Sequence, residues 1–86
     1  MPNNKERYEK VFVEALALSP DVINDALVYN SVPSWDSVGH MTLMAALETE
    51  FDIMLDTEDI IAFSSFGKGI EILTKYGVEM SDGVVA

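Results

Sequence analysis

Ser37-Val38-Gly39-His40-Met41-Thr42-Leu43-Met44-Ala45-Ala46-Leu47-Glu48-Thr49-Glu50-Phe51 is the stretch that decides the fold. Val38, Met41, Met44, Leu47 and Phe51 recur in it at 3-3-3-4 spacing, which predicts a helix with one broad apolar stripe. Asp36 or Ser37 is suited to cap it, since both residue types are preferred where a loop becomes a helix. Upstream, Asn30, Pro33 and Ser34 belong to a long connection over 19–36, with one helical turn after Pro20. Val22, Ile23, Leu27 and Val28 predict that this connection is tacked onto the core, and so long a link in a small domain is often functional.

Before that connection, Tyr8, Val11, Phe12, Ala15 and Leu16 fall on one face of a 3.6-residue period and predict a helix over 4–18. Asn3 and Glu6 form a box-like start to it. Downstream, Asp56 is placed to cap a short helix over 57–63, with Asp59 at the matching third position. Ser64 or Ser65 then caps a last helix that ends at Tyr76, with Phe66, Ile70 and Leu73 on its inner face and Gly77 as the left-handed closing residue. Repeats and alternating strand patterns are absent. The expectation is an all-α fold: a small four-helix bundle of three longer helices and one short one, occupying 1–78, with a flexible tail over 79–86.

Length and charge narrow the classes of function. At 86 residues the chain makes one domain, and without cysteine it has neither disulfides nor thiol chemistry of its own. A single histidine cannot build a His₂ or His₃ metal site, so no metal centre is expected. The 15 acids and 5 bases leave a net charge of −10, a poor basis for binding nucleic acid. No apolar run approaches the ~20 residues of a membrane span, and the chain opens on no signal-peptide pattern, so the expected setting is the cytoplasm. Residues 11 to 67 contain ten acids and no Lys or Arg. Most of those carboxylates lack an internal cation; they form either a merely solvated acidic surface or a field that would attract a basic partner surface.

Catalytic constellations are missing. The chain has no Walker-type loop and no G-x-S-x-G elbow, and 52–56 lacks the glycine and oxygen ligands of a calcium loop. Acid pairs such as Glu48 and Asp52 read as a solvated helix face, and His40 has no nucleophile beside it to activate. A non-enzymatic chain is expected. The segment with chemical content is Trp35-Asp36-Ser37-Val38, which sets a hydroxyl at a helix start where unpaired N–H groups and the helix dipole favour a phosphate. The plainer alternative is that Ser37 is only a cap.

Asp36-Ser37-Val38, followed by an apolar helix and by Ala46-Leu47-Glu48-Thr49-Glu50-Phe51-Asp52-Ile53, resembles the acyl carrier protein family. That family's pattern is Asp-Ser-Leu, then a helix ending in Leu-Glu-x-x-Phe-x-Ile, then a short acidic helix and a final one. The likeness runs from about residue 5 to residue 76. It implies that Ser37 is the attachment point of 4′-phosphopantetheine, transferred from coenzyme A by a separate phosphopantetheinyl transferase. Asp36 would help dock that enzyme and its metal ion, and Val38 would take the apolar position usually held by Leu or Met. The arm would carry an acyl or aminoacyl group as a thioester between loading and transferring enzymes, so a protein without cysteine still offers a thiol.

The sequence departs from the family where Gly39, His40 and Thr42 replace early acids, so that the first acid of this helix is Glu48. Gly39 costs ~1 kcal/mol relative to Ala inside a helix; either a partner or the arm passes close to the backbone there, or the glycine is merely tolerated. His40 lies one turn beyond Ser37, either within reach of the phosphodiester or as an ordinary exposed histidine. The glycine resembles D-alanyl carriers, while Trp35 with Gly39-His40-Met41 is more similar to stand-alone carriers of specialised biosynthetic clusters. Met41, Met44 and Met54 fill the core or line a collapsible slot for an acyl chain. Met41, Glu48, Asp56, Glu58 and Asp59 are the residues expected to dock basic partner surfaces, with the protein acting as a monomer. The rival from another class is an unmodified acidic helical adaptor.

Overall fold

The structure, a computed structural model, describes residues 3–24 and 26–80. Its elements are α1 (Asn4–Leu16), a single 3₁₀ turn (Pro20–Val22), α2 (Ser37–Phe51), α3 (Thr57–Ala62) and α4 (Phe66–Lys75). The fold is all-helical, a small bundle of three longer helices and one short one, as the apolar periodicity predicts.

The starts of α1, α2 and α4 each reflect a capping residue visible in the sequence. Asn3 accepts from the Glu6 amide at 2.9 Å and its own amide reaches the Glu6 carboxylate, forming the expected box. Asp36, not Ser37, caps α2, and Ser65, not Ser64, caps α4 by accepting from the Lys68 amide at 2.9 Å. Asp56 stands at the start of α3 but makes no side-chain capping bond. The box expected with Asp59 does not form, because the Asp59 carboxylate is held elsewhere. α1 stops at Leu16, two residues earlier than predicted, because Ala17 turns left-handed at φ 53°. Gly77 closes α4 at φ +87°, with its amide on the Thr74 carbonyl and the Val78 amide on the Leu73 carbonyl at 3.1 Å, a two-bond closure that suits glycine.

α1 lies along α2. Arg7 ties the start of α1 to the end of α2: its Nε donates to the Glu50 carboxylate at 2.7 Å, and its guanidinium sits 4.8 Å from the Phe51 ring centroid. The core holds Tyr8, Phe12, Leu16, Leu43, Met44, Leu47, Phe63, Phe66 and Leu73 around Trp35. Tyr8 donates its hydroxyl to the Phe66 carbonyl at 2.6 Å, and burial pushes its phenol pKa up. Gly69 lets α4 close over this contact, since a methyl group there would meet the Tyr8 hydroxyl at 2.1 Å.

Two expectations about apolar faces need correction. Val38 is 74% exposed and Met41 55% exposed, so the five-residue stripe of α2 is not one face. Steps of three residues slip backward on a 3.6-residue helix, and Val38 ends about 180° away from Leu47. Leu43, Met44 and Leu47 are the residues buried. In α4, Ile72 joins Phe66 and Leu73 in the core, while Ile70 is only half-buried.

The long connection is indeed tacked down, but not by all of the residues expected. Leu27 is buried and Ile23 half-buried, whereas Val22 and Val28 are exposed. The Tyr29 amide donates to the Ser64 carbonyl at 2.8 Å and the Phe66 amide to the Leu27 carbonyl at 2.9 Å, pinning the connection across the α3–α4 joint. Of the tail expected over 79–86, Glu79 and Met80 are described, and Met80 is buried with the core; 81–86 lie outside the described residues. Among the described residues no helix is long and apolar enough to cross a membrane, and no cluster of potential metal ligands occurs.

Candidate functional site

Ser37 is the first residue of α2, and its position follows from its neighbour. Asp36 holds an extended backbone and its Oδ1 accepts from the Gly39 amide at 2.9 Å, which meets one of the unpaired donors of the helix start. With Asp36 committed as the cap, the Ser37 hydroxyl is exposed and has no hydrogen-bond partner among the described residues. It faces the positive end of a 15-residue helix with no acid in its first turn.

Gly39 brings the preceding loop against the helix. A Cβ there would lie 1.9 Å from the Ser34 carbonyl oxygen and 3.2 Å from the Leu16 side chain. The close approach inferred from this glycine is therefore made by the chain's own loop.

His40 is half-buried and engaged at both ring nitrogens. The Trp35 indole N–H donates to His40 Nδ1 at 2.9 Å, which leaves the proton of a neutral ring on Nε2, and Nε2 donates to the Ile60 carbonyl at 2.8 Å. The imidazole lies nearly parallel to the Trp35 ring at 6.2 Å and edge-on to Tyr29 at 5.5 Å. Both nitrogens are thus spent on the fold, and in this arrangement neither is free for a phosphodiester.

Ser37, His40 and Met41 line one side of a pocket of about 350 Å³, with Ile60, Ile61, Phe63, Ser64 and Tyr29 on the other. Asp36 and Val38 flank Ser37 in sequence, and Val38 points to solvent. Met54 is exposed in the α2–α3 link and Met44 is in the core, so of the three methionines only Met41 lines this pocket.

The acids expected to dock partners divide into two groups. Glu48 accepts from the Leu55 amide at 2.9 Å and so braces the turn after α2. Asp59 is only 8% exposed; it accepts from Lys75 Nζ and from the Tyr76 hydroxyl, each at 2.5 Å, and these bonds hold its carboxyl below the usual range. Asp59 is therefore a buried tie between α3 and α4 and not an open docking acid. Asp56 and Glu58 stay exposed at the start of α3. Glu48 lies eleven residues beyond Ser37, about 16 Å along α2 at 1.5 Å per residue.

Trp35 is the residue whose part here the sequence reading missed. It is fully buried, contacts Phe12 edge-on at 5.4 Å, and anchors His40. An aromatic residue next to a serine in a polar loop was the available signal, since a loop that keeps its only tryptophan needs somewhere to bury it.

Comparison with known proteins bears on this arrangement. Acyl carrier proteins from two strains of Buchnera aphidicola subsp. Acyrthosiphon pisum, Tuc7 and APS, are each 32% identical to the chain over 76 residues, covering 87% of this chain and 94% of theirs. No family model matches the chain, and no solved structure does.

Proposed function

The chain belongs to the acyl carrier protein family, whose members are non-catalytic carriers, and from that premise we propose that Ser37 bears a 4′-phosphopantetheine arm. The observation that carries this reading is the Ser37 hydroxyl, exposed and unbonded at the positive end of α2 while Asp36 does the capping. The residues present fit the group: a phosphodiester on Ser37 adjoins the remaining free N–H groups of the first turn. When attached, the arm supplies a thiol on which an acyl or aminoacyl group rides as a thioester.

The chain's own residues then orient and present. Asp36 keeps the helix start formed and offers its second carboxylate oxygen toward the metal ion of a phosphopantetheinyl transferase. Val38 and Met41 present exposed apolar contacts beside the arm, and Asp56 and Glu58 present charge farther along to basic surfaces of loading and transferring enzymes. The protein works as a monomer in the cytoplasm, and its binding is weak and fast, because a shuttle has to leave each partner.

The test is an intact-protein mass spectrum after incubation with coenzyme A and a broad-specificity transferase, beside a Ser37→Ala control. The parent gains one phosphopantetheinyl group and the control gains none. No gain with several transferases, on a folded sample, would replace this reading with an unmodified adaptor in which Ser37 is only the first residue of a helix.

A further inference from the structure

We propose that His40 determines the class of group the carrier holds, by closing the cleft between α2 and α3 so that the cargo stays outside the core. The inference rests on Ser37 being the attachment point. The pocket beside Ser37 is lined by the apolar Met41, Ile60, Ile61 and Phe63, a surface that favours a hydrocarbon chain. Its inner wall is the His40 imidazole, bonded to Trp35 on one side and to the Ile60 carbonyl on the other. Behind the imidazole stand the fully buried Trp35 and Phe12, packed edge to face.

A methylene chain going past His40 must part both hydrogen bonds and can replace neither. It would leave the Trp35 N–H unpaired in apolar surroundings, and the Ile60 carbonyl with only its long 3.4 Å bond from the Phe63 amide, which is the costly way to disturb a hydrogen bond. The bridge also joins the loop, α2 and α3, so opening it loosens the short helix that forms the pocket's far wall. A short or polar group has nothing to gain from the interior and remains in water. The geometry therefore points to short or polar cargo, such as an aminoacyl or small hydroxyacyl group, and disfavours long acyl chains.

The experiment loads the full chain from acetyl- and octanoyl-coenzyme A and first verifies attachment at Ser37 by mass; failure at that step counts against the carrier reading alone. The NMR positions of the Trp35 indole N–H and of the Phe12 amide, which lie behind His40 and outside the pocket lining, are then compared between the two loaded forms. In the parent they are expected to coincide for both chain lengths. In His40→Ala, or in the bulkier His40→Leu should the first fail to fold, octanoyl shifts them and acetyl does not. Octanoyl-dependent shifts in the parent overturn the proposal, as does a folded His40 variant that ignores chain length. A merely structural histidine would change the melting temperature of the variants without creating this dependence on chain length.

Discussion

Around Ser37, Asp36, Gly39 and His40 each have a physical task, and the tasks are separable. Asp36 caps, which leaves Ser37 its hydroxyl; Gly39 lets the loop approach; His40 joins the loop to α3. The glycine gives the sharpest test. Gly39→Ala gains ~1 kcal/mol of helix propensity, but its methyl group would sit 1.9 Å from the Ser34 carbonyl oxygen, on backbone that cannot simply rotate away. Overpacking of that kind costs ~1–3 kcal/mol, so a net loss of stability is expected, read as a lower urea midpoint with an unchanged slope. A stabilised Gly39→Ala protein would show that the loop does not need this contact. The sequence marked Gly39 as unusual, yet what approaches it lies five residues back in a loop whose path no local pattern specifies.

At the scale of elements, α3 is the informative one. Six residues are too few to form a helix on their own in water. α3 is held from outside: Ile60 through its carbonyl to His40, Asp59 through its carboxylate to Lys75 and Tyr76, and Asp56 through its amide to the Tyr76 hydroxyl at 2.9 Å. The Asp59 contacts carry a definite pH dependence. Because the folded carboxyl titrates below its ordinary 3.8, the stability it contributes is present above that pH and is lost as the pH falls through the lower folded value. Lys75 and Tyr76 are both raised, chiefly by their bonds to Asp59, so their share is present below about pH 10 and fades as the pH rises further. Chemical denaturation of the parent and Asp59→Asn should therefore show a stability gap at neutral pH that shrinks progressively as the pH falls below 3.8; a gap independent of pH would mean that the carboxylate charge is not what holds α3. In the sequence Asp59 stands out from Glu58 only as a capping-box partner for Asp56, and its tie to Lys75 and Tyr76 comes only with the arrival of α4.

For the whole molecule, the charge of −10 acts in two directions at once. It opposes the compact state through self-repulsion and attracts basic partners, and salt screens both over about 8 Å at physiological ionic strength. Adding sodium chloride is therefore expected to raise the thermal midpoint of the free protein while weakening its docking to a basic enzyme surface. Docking that is indifferent to ionic strength would shift the recognition to Val38 and Met41, the exposed apolar residues next to Ser37. The fully buried Trp35 is also the natural fluorescent reporter for the thermal measurement, since unfolding brings it into water.

The helices and their caps were legible in the sequence because they arise from contacts three or four residues apart: the Asn3–Glu6 box, Asp36 before α2, Ser65 before α4, and Gly77 after it. Ser37 was legible as a hydroxyl at a helix start for the same reason, whereas its proposed role as attachment point came from the family resemblance. The sequence did not determine which face of α2 is buried, which acids remain exposed, or what lines the pocket beside Ser37. Those depend on residues far apart in the chain that meet only when it folds: Trp35 with Phe12, His40 with Ile60, Asp59 with Lys75 and Tyr76. Local hydrogen bonding and periodicity make the helices, whereas the burial of large rings and the pairing of distant polar groups decide how those helices surround the site.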